Sequence, residues 1–207
     1  MKAKIGKICM LSGTLLLLGA MMLYLHNKVQ DSRAGKAAAD VLPRLVEQIP
    51  EEPPEEYLTE QIIPAQFRKP EDLVMTEVFL DGDAYIGYLS IPELELILPV
   101  LSNWNYDLLQ KAPCRYTGST KSDNLVLMAH NYDKHFGRLS GLKSGDSIFF
   151  SDMEGIVTAY TVVGRDVLLP TAVEEMTSGD FDLTLFTCTY GGKSRVAVYC
   201  DRASEQD

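Results

Sequence analysis

Cys188 closes the run Leu183-Thr184-Leu185-Phe186-Thr187-Cys188; Arg195 follows seven residues later, and His130 stands 58 residues earlier in Met128-Ala129-His130-Asn131. A thiol, an imidazole and a guanidinium are together the groups that acyl transfer through a thioester requires. The thiolate attacks a carbonyl, the imidazole moves the proton, and the guanidinium holds the developing oxyanion. Each residue also has a bland reading: a core cysteine at a strand end, a satisfied core histidine, a solvated edge arginine. The case for chemistry is the coincidence of all three at strand edges.

Strict alternation puts Leu183, Leu185 and Thr187 on one face of their strand and Thr184, Phe186 and Cys188 on the other. Tyr190-Gly191-Gly192 breaks that strand just after the thiol, which leaves it accessible. His130 ends the β-prone run Leu125–Ala129, again beside a loop. Arg195 opens the last strand directly after the Gly-Gly loop, so a hairpin returns it towards Cys188. Arg202 is the rival guanidinium, at the far end of the same strand. His130 and His135 are five apart, which fits neither one helical face nor one strand face, and no third ligand stands near them. Neither a metal nor a cofactor is expected.

Positioning falls to short β-prone segments separated by Gly, Pro, Asn and Asp: 84–91, 95–101, 125–130, 147–150, 156–166, 183–188 and 195–201. Short helices are predicted at 105–111 and 172–177. Seven strands in about 120 residues read as an all-β barrel or sandwich rather than as βαβ units. Ordered structure is expected to resume near Asp83.

Upstream, Ile8 to Leu25 is an 18-residue uncharged run, long enough to cross a bilayer. Three lysines precede it, a positive-inside signal that places the C-terminal part outside the cell membrane, and no small-x-small cleavage site follows it. Residues 1–28 thus read as an uncleaved signal anchor. Residues 29–83 read as a short helix, with Asp40 as N-cap and Val41, Leu42, Leu45, Val46 and Ile49 on one face, followed by a Pro/Glu-rich linker. Residues 84–207 form the third segment.

Charge excludes one partner class. The chain carries a formal −10; residues 1–28 contribute +4 and the remainder −14, so no basic face exists for nucleic acid. The four cysteines include no C-x-x-C pair. Cys114 and Cys200 read as small buried hydrophobes rather than as a disulfide.

Thr184-Leu185-Phe186-Thr187-Cys188 resembles the T-L-x-T-C motif of the sortases, the membrane-anchored cysteine transpeptidases of Gram-positive bacteria. Ala129-His130-Asn131 resembles their His-Asn segment, and Arg195 before Val-Ala-Val resembles the arginine of their closing strand. The resemblance covers roughly residues 84–202. It implies a closed sortase-type β-barrel of seven to eight strands with short helices, preceded by one transmembrane helix. It implies His130, Cys188 and Arg195 as the catalytic set, with Thr187 and Asn131 at the substrate. It further implies protein substrates with a C-terminal sorting signal of the Leu-Pro-x-Thr-Gly type, and an amine acceptor on a peptidoglycan precursor or a pilin. Cys188-Thr189-Tyr190 is more similar to class B members than to class A, and the Cys-to-Arg spacing is short for the family.

With ordinary pKa values, a thiolate–imidazolium pair is only about 1% of the neutral pair, so such an enzyme is expected to be slow. Two other functions fit the same residues: an anchored cysteine endopeptidase, and a non-catalytic β domain that binds an extended peptide. Adding an amine to a cleavage assay separates transfer from hydrolysis. Thiol alkylation separates a reactive Cys188 from an inert one.

Overall fold

The computed structural model describes residues 2–54, 69–178 and 180–203. Nine strands form one sheet, and eight of them close into a barrel in the order β2-β3-β4-β5-β8-β9-β7-β6, with β6 pairing back onto β2. In chain order these are β2 (Asp83–Ile91), β3 (Leu96–Leu101), β4 (Cys114–Thr117), β5 (Leu125–Ala129), β6 (Ser147–Asp152), β7 (Val157–Leu168), β8 (Leu183–Cys188) and β9 (Arg195–Arg202). β1 (Val78–Leu80) is a short flap on β2, joined by an Asp81-Gly82 turn with both residues at positive φ. Such a two-residue turn matches the twist of the strands it links. Regular structure is present ahead of Asp83: residues 70–73 form a short 3-10 turn and β1 follows.

Closure depends on one glycine. β2 is hydrogen-bonded to β3 on one side and to β6 on the other. Its register shifts between Tyr85 and Gly87, and Gly87 holds φ +142°. A Cβ there would lie 2.0 Å from the Ser151 carbonyl oxygen of β6. No other residue type fits so close an approach of two backbones.

Alternation fills the interior. Leu125, Leu127 and Ala129 of β5, Leu183 and Leu185 of β8, and Val196, Val198 and Cys200 of β9 join one core with Ile86, Phe136, Ile148 and Tyr160. The opposite faces of these strands are apolar too. Val126, Phe186, Ala197 and Tyr199 pack outside the barrel with Met176, and Tyr116, Met128 and Phe181 lie against them.

Two short helices match expectation: α2 (Tyr106–Leu109), whose Asn105 side chain accepts the Leu108 N–H at 2.8 Å, and α3 (Val173–Thr177). The N-terminal helix does not. Helix α1 runs unbroken from Lys2 to Val46, so Asp40 is not an N-cap and no break separates the apolar run from 40–46. The intervening Asp31–Ala39 is rich in alanine, the strongest helix former, and Gly35 alone is too weak a breaker to end it. Pro43 sits in the last turns, and the helix stops at Val46. Its foot is anchored: Leu45 is fully buried with Tyr85, Leu101, Leu109, Ala112 and Cys114, and Ala34 and Ala38 are buried higher up. The Pro/Glu-rich stretch expected as a linker runs on into 55–68, which lies outside the described residues.

Candidate active site

β5 and β8 are parallel neighbours, with Ala129 opposite Thr187. The next residues along are His130 and Cys188, which therefore leave adjacent strand ends about 5 Å apart. β9 returns antiparallel along β8, and Arg195 is the direct cross-strand partner of Cys188. By parity all three side chains point outward: inward partners flank them at Ala129, Thr187 and Val196. Residues far apart in the chain thus share one face at one end of three neighbouring strands. Arg202 lies at the other end of β9, ion-paired with Asp123 and donating to the Thr120 carbonyl.

The hairpin that delivers Arg195 is held by its own backbone. Thr189 N–H donates to the Ser194 carbonyl at 2.9 Å, Ser194 N–H to the Thr189 hydroxyl at 3.1 Å, and Gly192 N–H to the Thr189 carbonyl at 2.8 Å. Gly191 and Gly192 turn it with φ of 84° and 71°. Nη1 of Arg195 donates to the carbonyls of Gly192 (3.3 Å) and Ser194 (3.2 Å), so the guanidinium braces the loop beside the thiol.

The loop after His130 is equally tight. Phe136 N–H returns to the His130 carbonyl at 3.2 Å, and the His135 and Gly137 N–H groups converge on the Tyr132 carbonyl at 2.9 and 2.8 Å. Rings pack in sequence at a tilt: His130 against Tyr132 with centroids 4.9 Å apart, and Tyr132 against His135 at 5.6 Å. Half-burial of the His130 ring disfavours its charged form and lowers its pKa below 6.5. His135 is completely buried, and its pKa is pushed down to about 4 by burial and by His130, against the opposing pull of the Ala34 backbone.

Thr187, expected at the substrate, is turned the other way. Its side chain is buried on the interior face, and its hydroxyl donates to the Ala129 carbonyl at 2.8 Å. The same alternation that presents Cys188 outward forces its neighbour inward. Thr187 ties the His130 strand to the Cys188 strand. Asn131 stays partly exposed, on the wall of a cleft against α1. Cys114 and Cys200 are free and buried, in separate clusters, and burial pushes both thiols up to about 12. Cys188 alone of the barrel's cysteines reaches solvent.

The outer apolar face is a feature that strand-by-strand sequence reasoning misses. Its signal is present in the residues: outward positions Val126, Met128, Phe186, Ala197 and Tyr199 are apolar where a solvated face needs polar residues. A ring series extends it, with Trp104 stacked on Tyr116 at 5.8 Å and Tyr116 edge-on to Phe186 at 5.4 Å.

Comparison with known proteins agrees with this arrangement. The family model for the sortase domain matches residues 89–203. A sortase A from Bacillus anthracis is 31% identical over 140 residues, covering 65% of this chain and 66% of that one, just under two thirds of the relative's length. A sortase C from Clostridium perfringens solved with the C-terminal cell wall sorting motif superposes with TM-score 0.61 at 24% identity, over 81% of this chain and 100% of that one. Streptococcus pneumoniae sortase C gives 0.61 at 22%, over 79% and 96%. With more than half of its length matched and an eight-strand barrel of the corresponding fold, the chain belongs to the sortase family.

Proposed function

We propose that the chain is a membrane-anchored transpeptidase that cuts a C-terminal sorting signal of the Leu-Pro-x-Thr-Gly type and passes the acyl group to an amine. The observation that carries this reading is the register of β5, β8 and β9, which gathers His130, Cys188 and Arg195 on one outward face. Cys188 attacks the scissile carbonyl and the C–N bond breaks as the thioester forms. His130 gives a proton to the departing amine and later takes one from the incoming amine. Arg195 is the cross-strand partner of Cys188, where its guanidinium serves the developing oxyanion. The outer apolar face, with Tyr116, Phe186 and Met128, offers a floor for the apolar part of the signal.

Helix α1 holds a run long and apolar enough to span a bilayer. The lysines before that run place the barrel on the extracellular side of a single span. The acceptor is an amine on a peptidoglycan precursor or on a pilin. The pneumococcal sortase C is described as having pilin substrate specificity, which supports a pilin as an acceptor here.

The test is direct. Full-length protein incubated with a Leu-Pro-x-Thr-Gly peptide forms an acyl-enzyme detectable by intact mass, and added triglycine converts it to the transfer product. Cys188→Ala abolishes both. Cleavage retained by Cys188→Ala, or hydrolysis unaltered by saturating amine, defeats the assignment.

A further inference from the structure

Helix α1 does not merely tether the barrel; it docks on the loop that follows His130. Asp31 Oδ1 accepts the Lys134 N–H at 2.9 Å. The stem of Lys134 lies across Gly35, where a Cβ would meet its Cγ at 3.0 Å. Between helix and loop a cleft of about 590 Å³ remains. Tyr24, Asn27 and Asp31 form its helix wall, Tyr132 and Asp133 the opposite wall, and Tyr190 closes the end towards the Cys188 hairpin.

The lining suits a cation. Two carboxylates and three tyrosine rings face the space, and aromatic faces and carboxylates both attract ammonium groups. A primary ammonium already lies there: Lys28 Nζ sits 3.7 Å from Asp133 Oδ2, with both side chains about half exposed. A pair that long and that exposed holds weakly, so an incoming ammonium can displace it. Two of its lining residues are near neighbours in the chain of the reacting groups: Asn131 follows His130, and Tyr190 lies two residues beyond Cys188.

We infer that this cleft is the acceptor subsite, that it binds a primary alkylammonium, and that the anchor helix supplies one of its walls. The inference rests on the transpeptidase reading. His130 takes one proton from the ammonium. The freed amine attacks the thioester carbonyl; the C–N bond forms and the C–S bond breaks. Of the two remaining nitrogen protons one stays in the amide and the other returns with the sulfur, and His130 passes its proton to solvent. Asp31 and Asp133 concentrate and orient the cation before that step.

Asparagine at 31 and 133 retains a carbonyl acceptor, for the Lys134 N–H in the case of Asp31, and removes only charge. The experiment is therefore transfer kinetics of the full chain in nanodiscs, wild type against Asp31→Asn/Asp133→Asn, with KM measured separately for amine and sorting peptide. Two amines serve as probes: triglycine in solution, and triglycine coupled through its C-terminus to a lipid in the same disc. The amine KM is expected to rise about tenfold relative to the peptide KM, for either probe. The probe with the lower wild-type KM identifies whether the natural amine is borne by the membrane or comes from solution. Equal movement of both KM values, or movement of neither, overturns the subsite. Wild-type protein that forms no thioester overturns the underlying reading instead.

Discussion

His130 carries the sharpest electrostatic consequence. Burial lowers its pKa, so the imidazole is mostly neutral at pH 7. An NMR titration of the ring in the resting enzyme is expected to show a midpoint below 6.5, and an imidazolium persisting through pH 7 would establish a stable ion pair instead. Thr187 makes a second prediction. Thr187→Val keeps the shape but strands the Ala129 carbonyl at the strand end. The loss is about 1 kcal/mol in urea unfolding, and kcat/KM falls roughly tenfold because the His130 strand end loses its tie to the Cys188 strand. An activity loss no larger than the stability loss would reduce Thr187 to ordinary core. The gathering of His130, Cys188 and Arg195 at one end of neighbouring strands is legible in the sequence because each stands at a strand edge. The inward turn of Thr187 is not, because a motif records which residues recur together, whereas the pleat decides which of two neighbours faces outward.

At the level of elements, strands with alternating apolar residues are legible, and those without are not. β4 is Cys114-Arg115-Tyr116-Thr117 and β1 only Val78-Phe79-Leu80, too short or too polar to announce themselves; partners on either side make them strands. α1 departs from expectation for the opposite reason. Asp40 carries a strong local cap signal, and Pro43 suits a first turn, yet an alanine-rich segment already in a helix extends more easily than a new helix nucleates. Gly87 is the element-scale test. Gly87→Ala drives a Cβ into the Ser151 carbonyl at a φ that side chains avoid. The barrel seam between β2 and β6 must part, and a loss of about 3 kcal/mol or more is expected by chemical denaturation. Wild-type stability in that variant would mean the seam is not as tight as described.

For the molecule as a whole, two buried groups respond to acid with opposite sign. His135 titrates near 6.5 when unfolded and about 4 when folded, so the unfolded chain binds the proton first. Its contribution is intact above 6.5 and is lost as pH falls towards 4, roughly 3 kcal/mol in all. Asp152, raised from 3.8 to about 6 by burial, works the other way: the folded state takes the proton first, so acidification over that range stabilises. The two nearly offset in the wild type. His135→Gln therefore leaves Asp152 unopposed, and its stability relative to wild type is expected to improve steadily from pH 6.5 to 4 in thermal melts. A constant difference across that range would show that His135 does not titrate on unfolding.

The uninterrupted course of α1 has one further consequence. From Leu25, the last residue of the apolar run, to Asp31, which meets the loop beyond β5, the helix climbs about 9 Å at 1.5 Å per residue. A rod of fixed pitch acts as a ruler, so on the proposed topology the blade works at a set altitude just over the lipid headgroups. Two client proteins with identical motifs would then be sorted by how many residues separate the motif from their own point of entry into the bilayer.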